Sequence, residues 1–101
     1  MKVALKLLSP FKPPSGKREI HIECPDGINV ADYFRIVEEK AGPGFLKSIF
    51  KEETDKLRGN VSVCLQREGI NQIKRIELFE GLETPLQSND VLFIFHPVSG
   101  G

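Results

Sequence analysis

At 101 residues the chain suits one domain, residues 1–101, with a core large enough to hold without disulfide or metal staples. Lysine plus arginine balances aspartate plus glutamate, 14 against 14, so the clustered basic excess of a nucleic-acid module is missing. No apolar run approaches the roughly 18 residues of a membrane span.

The chain opens on "MKVALKLLSPF", which Lys6 interrupts and no small-residue cleavage site follows. It therefore reads as a strand of a cytoplasmic protein rather than as a signal peptide. Within it Val3, Leu5 and Leu7 alternate with Lys2, Ala4 and Lys6, the period-2 pattern of a half-buried strand. Three prolines and a glycine make 9–17 a loop, and "REIHIEC" (18–24) alternates again, with Ile20, Ile22 and Cys24 opposite Glu19, His21 and Glu23. The two runs predict a hairpin. A helix is expected from Asn29, a good N-cap residue, with Asp32 beside its positive end. Val30, Tyr33, Phe34, Val37 and Ala41 recur at helical spacing, and "GPG" (42–44) ends the stripe. Phe45, Leu46, Ile49 and Phe50 suggest another turn or two of helix.

"VSVCLQ" (61–66) predicts a strand with Val61, Val63 and Leu65 inward, and "IKRIELF" (73–79) a weaker one. A turn is expected at Ser88-Asn89-Asp90, where Asn89 tolerates a left-handed backbone. "VLFIF" (91–95) is continuously apolar, as in a strand with apolar surroundings on both faces, and Pro97 stops it. Strand, strand, helix, strand, short strand, strand gives an α+β fold of two layers, one main helix on a mixed sheet of four to five strands.

Such a fold covers one face of the sheet. Leu92 and Ile94 cannot share a face with Val91, Phe93 and Phe95, so the last strand presents large apolar groups away from the helix. Either a partner covers them or neighbouring loops do. The strand is followed by His96, then Pro97-Val98-Ser99, then Gly100-Gly101. From the end of that strand at Phe95 to Gly101, six residues including the tail of about 97–101, the chain spans roughly 18–20 Å when extended. Its glycines, lacking Cβ atoms, could thread a channel that any side chain would block.

Other chemistry is thin. Cys24 and Cys64, 40 residues apart, lack the paired spacing of a zinc site, as do His21 and His96, so no metal site is expected. Two reduced thiols suit a cytosolic chain better than a disulfide. Cys24 shares the face of Ile20 and Ile22 and reads as core. Cys64 would be an exposed thiol, open to a persulfide role, if Ser62 and Gln66 mark the solvent face. His96 has an ordinary pKa near neutrality, yet no partner in sequence marks it as a general base.

Thr84-Pro85-Leu86, then Asn89-Asp90-Val91, an apolar strand and Pro97-Val98-Ser99-Gly100-Gly101 resemble the ubiquitin-like β-grasp sulfur carriers. The closest resemblance is to the small subunit of molybdopterin synthase, with the thiamine-biosynthesis carrier as a cousin. The order of elements matches along nearly the whole chain, while the specific motifs occupy 84–101. Three features depart from the family pattern. Asn89 stands where glycine is usual, His96 stands in a proline slot, and "REGINQIKRIELF" is longer than a compact member needs.

The resemblance implies a ubiquitin-like β-grasp and a carrier that is not an enzyme alone. A partner adenylating enzyme would use ATP to activate the Gly101 carboxylate. A sulfur donor enzyme would convert it to a thiocarboxylate, and the large subunit of molybdopterin synthase would receive the sulfur. Gly101 carries the reacting atom and Gly100 gives the narrow approach. Phe93, Phe95, Pro97, Val98 and Ser99 dock the domain and steer the tail. No cofactor is expected on the carrier itself. Alternatives are a ubiquitin-like protein modifier, in which a lysine amine captures the same activated glycine, a carrier for thiamine synthesis or tRNA thiolation, and a plain interaction module.

Overall fold

The computed structural model describes residues 1–8, 18–41, 43–51, 56–70 and 72–95. Alternation along the first run makes β1 (Lys2–Leu7), with Val3, Leu5 and Leu7 buried and Lys2 exposed. β2 (Glu19–Glu23) pairs with it antiparallel, Val3 opposite Ile22 and Lys6 opposite Glu19. This is the expected hairpin.

α1 (Val30–Ala41) starts where Asn29 predicts it. The Asn29 Oδ1 accepts a hydrogen bond from the Asp32 backbone N–H at 2.8 Å, satisfying one of the free donors of the first turn. Its apolar stripe of Val30, Tyr33, Phe34 and Val37 is wholly buried against the sheet. The Tyr33 hydroxyl donates to the Val3 carbonyl at 2.8 Å, fixing helix to strand through a bond inside the core. The short helix α2 (Phe45–Ile49) is held by Glu38, whose carboxylate accepts from Leu46 N–H at 2.9 Å. Phe34 meets Phe45 and Phe50 edge-on, with centroids 5.6 and 6.3 Å away.

β3 (Ser62–Gln66), β4 (Lys74–Arg75) and β5 (Val91–Phe95) complete a five-stranded mixed sheet in the order β2-β1-β5-β3-β4. β5 lies at the centre, parallel to β1 and antiparallel to β3. Asn89 turns into it at φ 71, the left-handed position expected there.

Two expectations need correction. The strand read over 73–79 is paired only at Lys74–Arg75, and Ile76–Leu78 closes into a 3₁₀ turn. Ile76, at 1% exposure, draws the chain out of the ladder into the core. Cys64 is not an exposed thiol. Phe93 and Arg75 stand opposite it on the adjoining strands, and it is 7% exposed although it lies on the face away from the helix. Burial pushes its thiol pKa up, so the reactive thiolate is disfavoured. Cys24 is buried as expected, and neither cysteine is in a disulfide. Among the described residues no helix is long and apolar enough to cross a membrane.

Candidate functional site

The strand that leads to the tail is positioned from both ends. At its start Asp90 accepts Gln87 N–H at 2.8 Å, and its own carbonyl accepts Ala4 N–H at 3.0 Å. Thr84-Pro85-Leu86 forms the anchor before that turn. The Thr84 carbonyl accepts Val30 N–H at 3.1 Å, Leu86 N–H donates to the Ile28 carbonyl at 2.8 Å, and Leu86 is buried. At the far end, Leu8 N–H donates to the Ile94 carbonyl at 2.9 Å. The tail therefore departs from the central strand of a braced sheet, not from an edge.

On the face away from the helix the register sets one row across all five strands: Glu19, Lys6, Phe93, Cys64 and Arg75. Its ends are charged and its middle is apolar. A neighbouring row runs His21, Ala4, Val91 and Gln66, and Phe95 stands opposite Ser62. Ser62, Cys64 and Ala4 are buried by taller neighbours, while Val91, Phe93 and Phe95 remain half-buried. Neighbouring side chains thus cover the small residues of this face but leave the large ones accessible. Lys6 places its ammonium 5.5 Å from the Phe93 ring centroid and 3.3 Å from a Glu19 carboxylate oxygen, lining one flank of the apolar centre. His21 lies 3.0 Å from Glu19 on the same flank. Together the hydrogen bonds from His21 and Lys6 hold the Glu19 carboxyl below its usual range.

Phe93 and Phe95 lie half-buried on the face away from the helix. His96, Pro97, Val98, Ser99, Gly100 and Gly101 lie outside the described residues. Two further residues belong with this face. Leu8, 45% exposed, continues the outward set Lys2, Ala4 and Lys6 beside Phe95. Ile73, 51% exposed, precedes β4 by one residue, two places before outward-facing Arg75. Leu8 was legible as the next term of an alternation. Ile73 was not, because β4 is too short to show one.

Among the described residues no group of three or more His, Cys, Asp or Glu side chains is arranged to hold a metal ion. The face offers apolar area and a rim of charge, the composition of a protein-docking surface. A two-layer mixed sheet of this order, one main helix on one side and an open face on the other, is the ubiquitin-like β-grasp.

No family model and no curated protein matches the chain. Solved structures do. The solution structure of the small archaeal modifier protein 1 from Methanosarcina acetivorans matches at 27% identity and TM-score 0.73, over 99% of this chain and 96% of that one. The crystal structure of the Amycolatopsis orientalis BexX/CysO complex contains a match at 23% identity and TM-score 0.71, over 98% of this chain and 99% of that one. The complex of subunits 1 and 2 of molybdopterin-converting factor from Helicobacter pylori matches at 22% identity and TM-score 0.53, over 100% of both chains. These likenesses carry the same ubiquitin-like β-grasp fold that the resemblance of residues 84–101 implies.

Proposed function

We propose that this chain is a sulfur carrier whose Gly101 carboxylate is adenylated by a partner enzyme and then converted to a thiocarboxylate. One observation supports the reading most: a half-buried apolar strip, Val91, Phe93 and Phe95, on the strand that runs on toward Gly100-Gly101. A carboxylate is a poor electrophile. Attack of its oxygen on the α-phosphorus of ATP releases pyrophosphate and makes a mixed anhydride with a good leaving group. The terminal sulfur of a donor persulfide attacks the acyl carbon, AMP departs, and a second thiol cleaves the sulfur–sulfur bond to leave the thiocarboxylate. The domain works as a cytoplasmic co-substrate and not as an enzyme on its own. Partners supply the ATP site, the sulfur and the transfer residues, while Phe93 and Phe95 dock and Pro97, Val98 and Ser99 lead the tail inward.

For the destination we favour molybdopterin synthesis, with this chain as the small subunit beside a large one. The likeness to a complex of two molybdopterin-converting-factor subunits supports it. Protein modification is the second reading, favoured by the likeness to a small archaeal modifier protein. Both readings share the adenylate. The test combines the chain with its cognate activating enzyme, ATP and a sulfur donor, and reads the intact mass. Replacement of one oxygen by sulfur at the C-terminal glycine is the expected result, lost on deletion of Gly101. No adenylate and no thiocarboxylate would overturn the proposal. Isopeptide conjugates in cells, with cofactor synthesis intact in a strain lacking the gene, would move the destination to the modifier reading.

A further inference from the structure

At the end of β5 farthest from the tail, the docking face runs into an open cavity of about 400 Å³, lined by Gln66, Arg67, Glu68, Ile70, Asn89 and Val91 around the Gly69 turn. Val91 and Gln66 stand opposite each other in the row next to Phe93, so cavity and docking face form one surface. Its charge is unequal. The Arg67 guanidinium is already spent on Asp90, with Nε 3.1 Å from Oδ1 and Nη2 2.9 Å from Oδ2, and Nη2 also donates to the Pro85 carbonyl at 3.0 Å. Glu68 is exposed and, among the described residues, forms no ion pair. The cavity therefore presents one uncompensated carboxylate, two side-chain amides with carbonyl acceptors, and the apolar flanks of Val91 and Ile70.

We infer that this cavity seats a basic side chain, arginine or lysine, from the protein that docks on the sheet. The aliphatic stem of such a side chain lies along Val91 and Ile70 while its charged head meets Glu68 and the amide oxygens of Gln66 and Asn89. An acidic group would face Glu68 with no free cation to meet it. A purely apolar one would leave that carboxylate and both amides without new partners. Position gives the contact its use. Val91 to Phe95 spans about 13 Å of extended chain. An anchor at Val91 thus fixes how far along β5 the partner sits when it grips the segment beyond Phe95. The inference rests on the sheet-docking part of the proposed function, and not on the sulfur chemistry.

The test uses the full chain with ¹⁵N labelling, titrated with Nα-acetyl-arginine methylamide and, separately, with the neutral aliphatic analogue Nα-acetyl-norleucine methylamide, which keeps the stem and lacks the charged head. Saturable shifts of the Glu68, Gly69 and Ile70 amides with the arginine probe alone are expected, and Glu68→Gln should weaken that binding roughly fivefold. Glu83→Gln, an exposed carboxylate outside the cavity, should leave it unchanged. No saturable shift, equal shifts with norleucine, or binding indifferent to Glu68→Gln would overturn the inference. Because the probe is read on the isolated chain, a carrier that takes up sulfur but ignores arginine would sink this inference alone. A chain that binds arginine and never forms an adenylate would sink only the function.

Discussion

Arg67 and Asp90 meet in a two-pronged ion pair, with both carboxylate oxygens engaged and Asp90 only 1% exposed. Arg67 also holds the Pro85 carbonyl and lays its guanidinium 5.6 Å from the Phe79 ring centroid. One side chain thus ties the end of β3 to the Thr84-Pro85-Leu86 anchor and to the turn that launches β5. Removing one partner of a buried pair costs more than the pair contributes, because the other charge stays buried and unmatched. Arg67→Ala should therefore destabilise the fold by about 3 kcal/mol, measured by urea denaturation. Arg67→Lys cannot reproduce the fork and should fall between. A loss no larger than that of an ordinary surface substitution would refute this account.

Three buried acids set the alkaline limit of the fold. Burial raises the Tyr33 phenol, and it raises the Cys24 and Cys64 thiols. In the unfolded chain these groups lose protons above about 8.5 for thiols and about 10 for phenol. Between those values and the higher folded ones, the native state binds more protons than the unfolded state, so stability falls as pH rises. Below pH 8 the contribution is fully present and flat. Urea midpoints should hold steady from pH 7 to 8 and drop by pH 10.5. Tyr33→Phe should flatten part of that drop, at a cost of about 1 kcal/mol at neutral pH for the lost bond to Val3.

The turn into β5 carries its own prediction. Asn89, at φ 71, occupies a conformation that β-branched residues adopt only with strain. Asn89→Val should cost on the order of 1–2 kcal/mol. Asn89→Gly should be near neutral, since relief of backbone strain offsets the added freedom of the unfolded chain. Thermal melts of the pair distinguish a conformational requirement from a side-chain contact, for which both substitutions would hurt alike.

Local periodicity made much of this fold legible. Val3-Leu5-Leu7 and Val63-Leu65 read as strands because alternation is a property of neighbours, and Asn29 marked the helix start because its bond reaches only to Asp32. The failures share a cause in contacts made at long range. Ser62 and Gln66 suggested a solvent face for Cys64, but Phe93 and Arg75, 29 and 11 residues away by number, bury it. Ile73 and Ile76 are three apart, a spacing that an extended chain sends to opposite sides; one is exposed and the other buried. The pairing of Arg67 with Asp90, and the cavity beside it, depend on how two turns come together, which no local window contains. The tail was legible as a motif, and its residues remain the part of the site known by sequence.

Phe93 decides whether the open face is an interface. It stands at the middle of the row from Glu19 to Arg75, half-buried, with Lys6 over one side of its ring. Interface energy concentrates in central aromatic anchors, and charge placed there meets a desolvated partner surface. Phe93→Asp should therefore weaken binding to the activating enzyme by at least 2 kcal/mol, about thirtyfold in Kd. Arg75→Ala, at the rim of the same row, should change it by less than about 1 kcal/mol. Calorimetry against the partner measures both, with urea midpoints as the control for folding. The ring is only half-buried, so Phe93→Asp should leave a folded domain with its sheet intact. Should a folded Phe93→Asp variant bind and become adenylated as well as the parent, the partner must approach from the helix side or grip the tail alone, and the open face would have no part in docking.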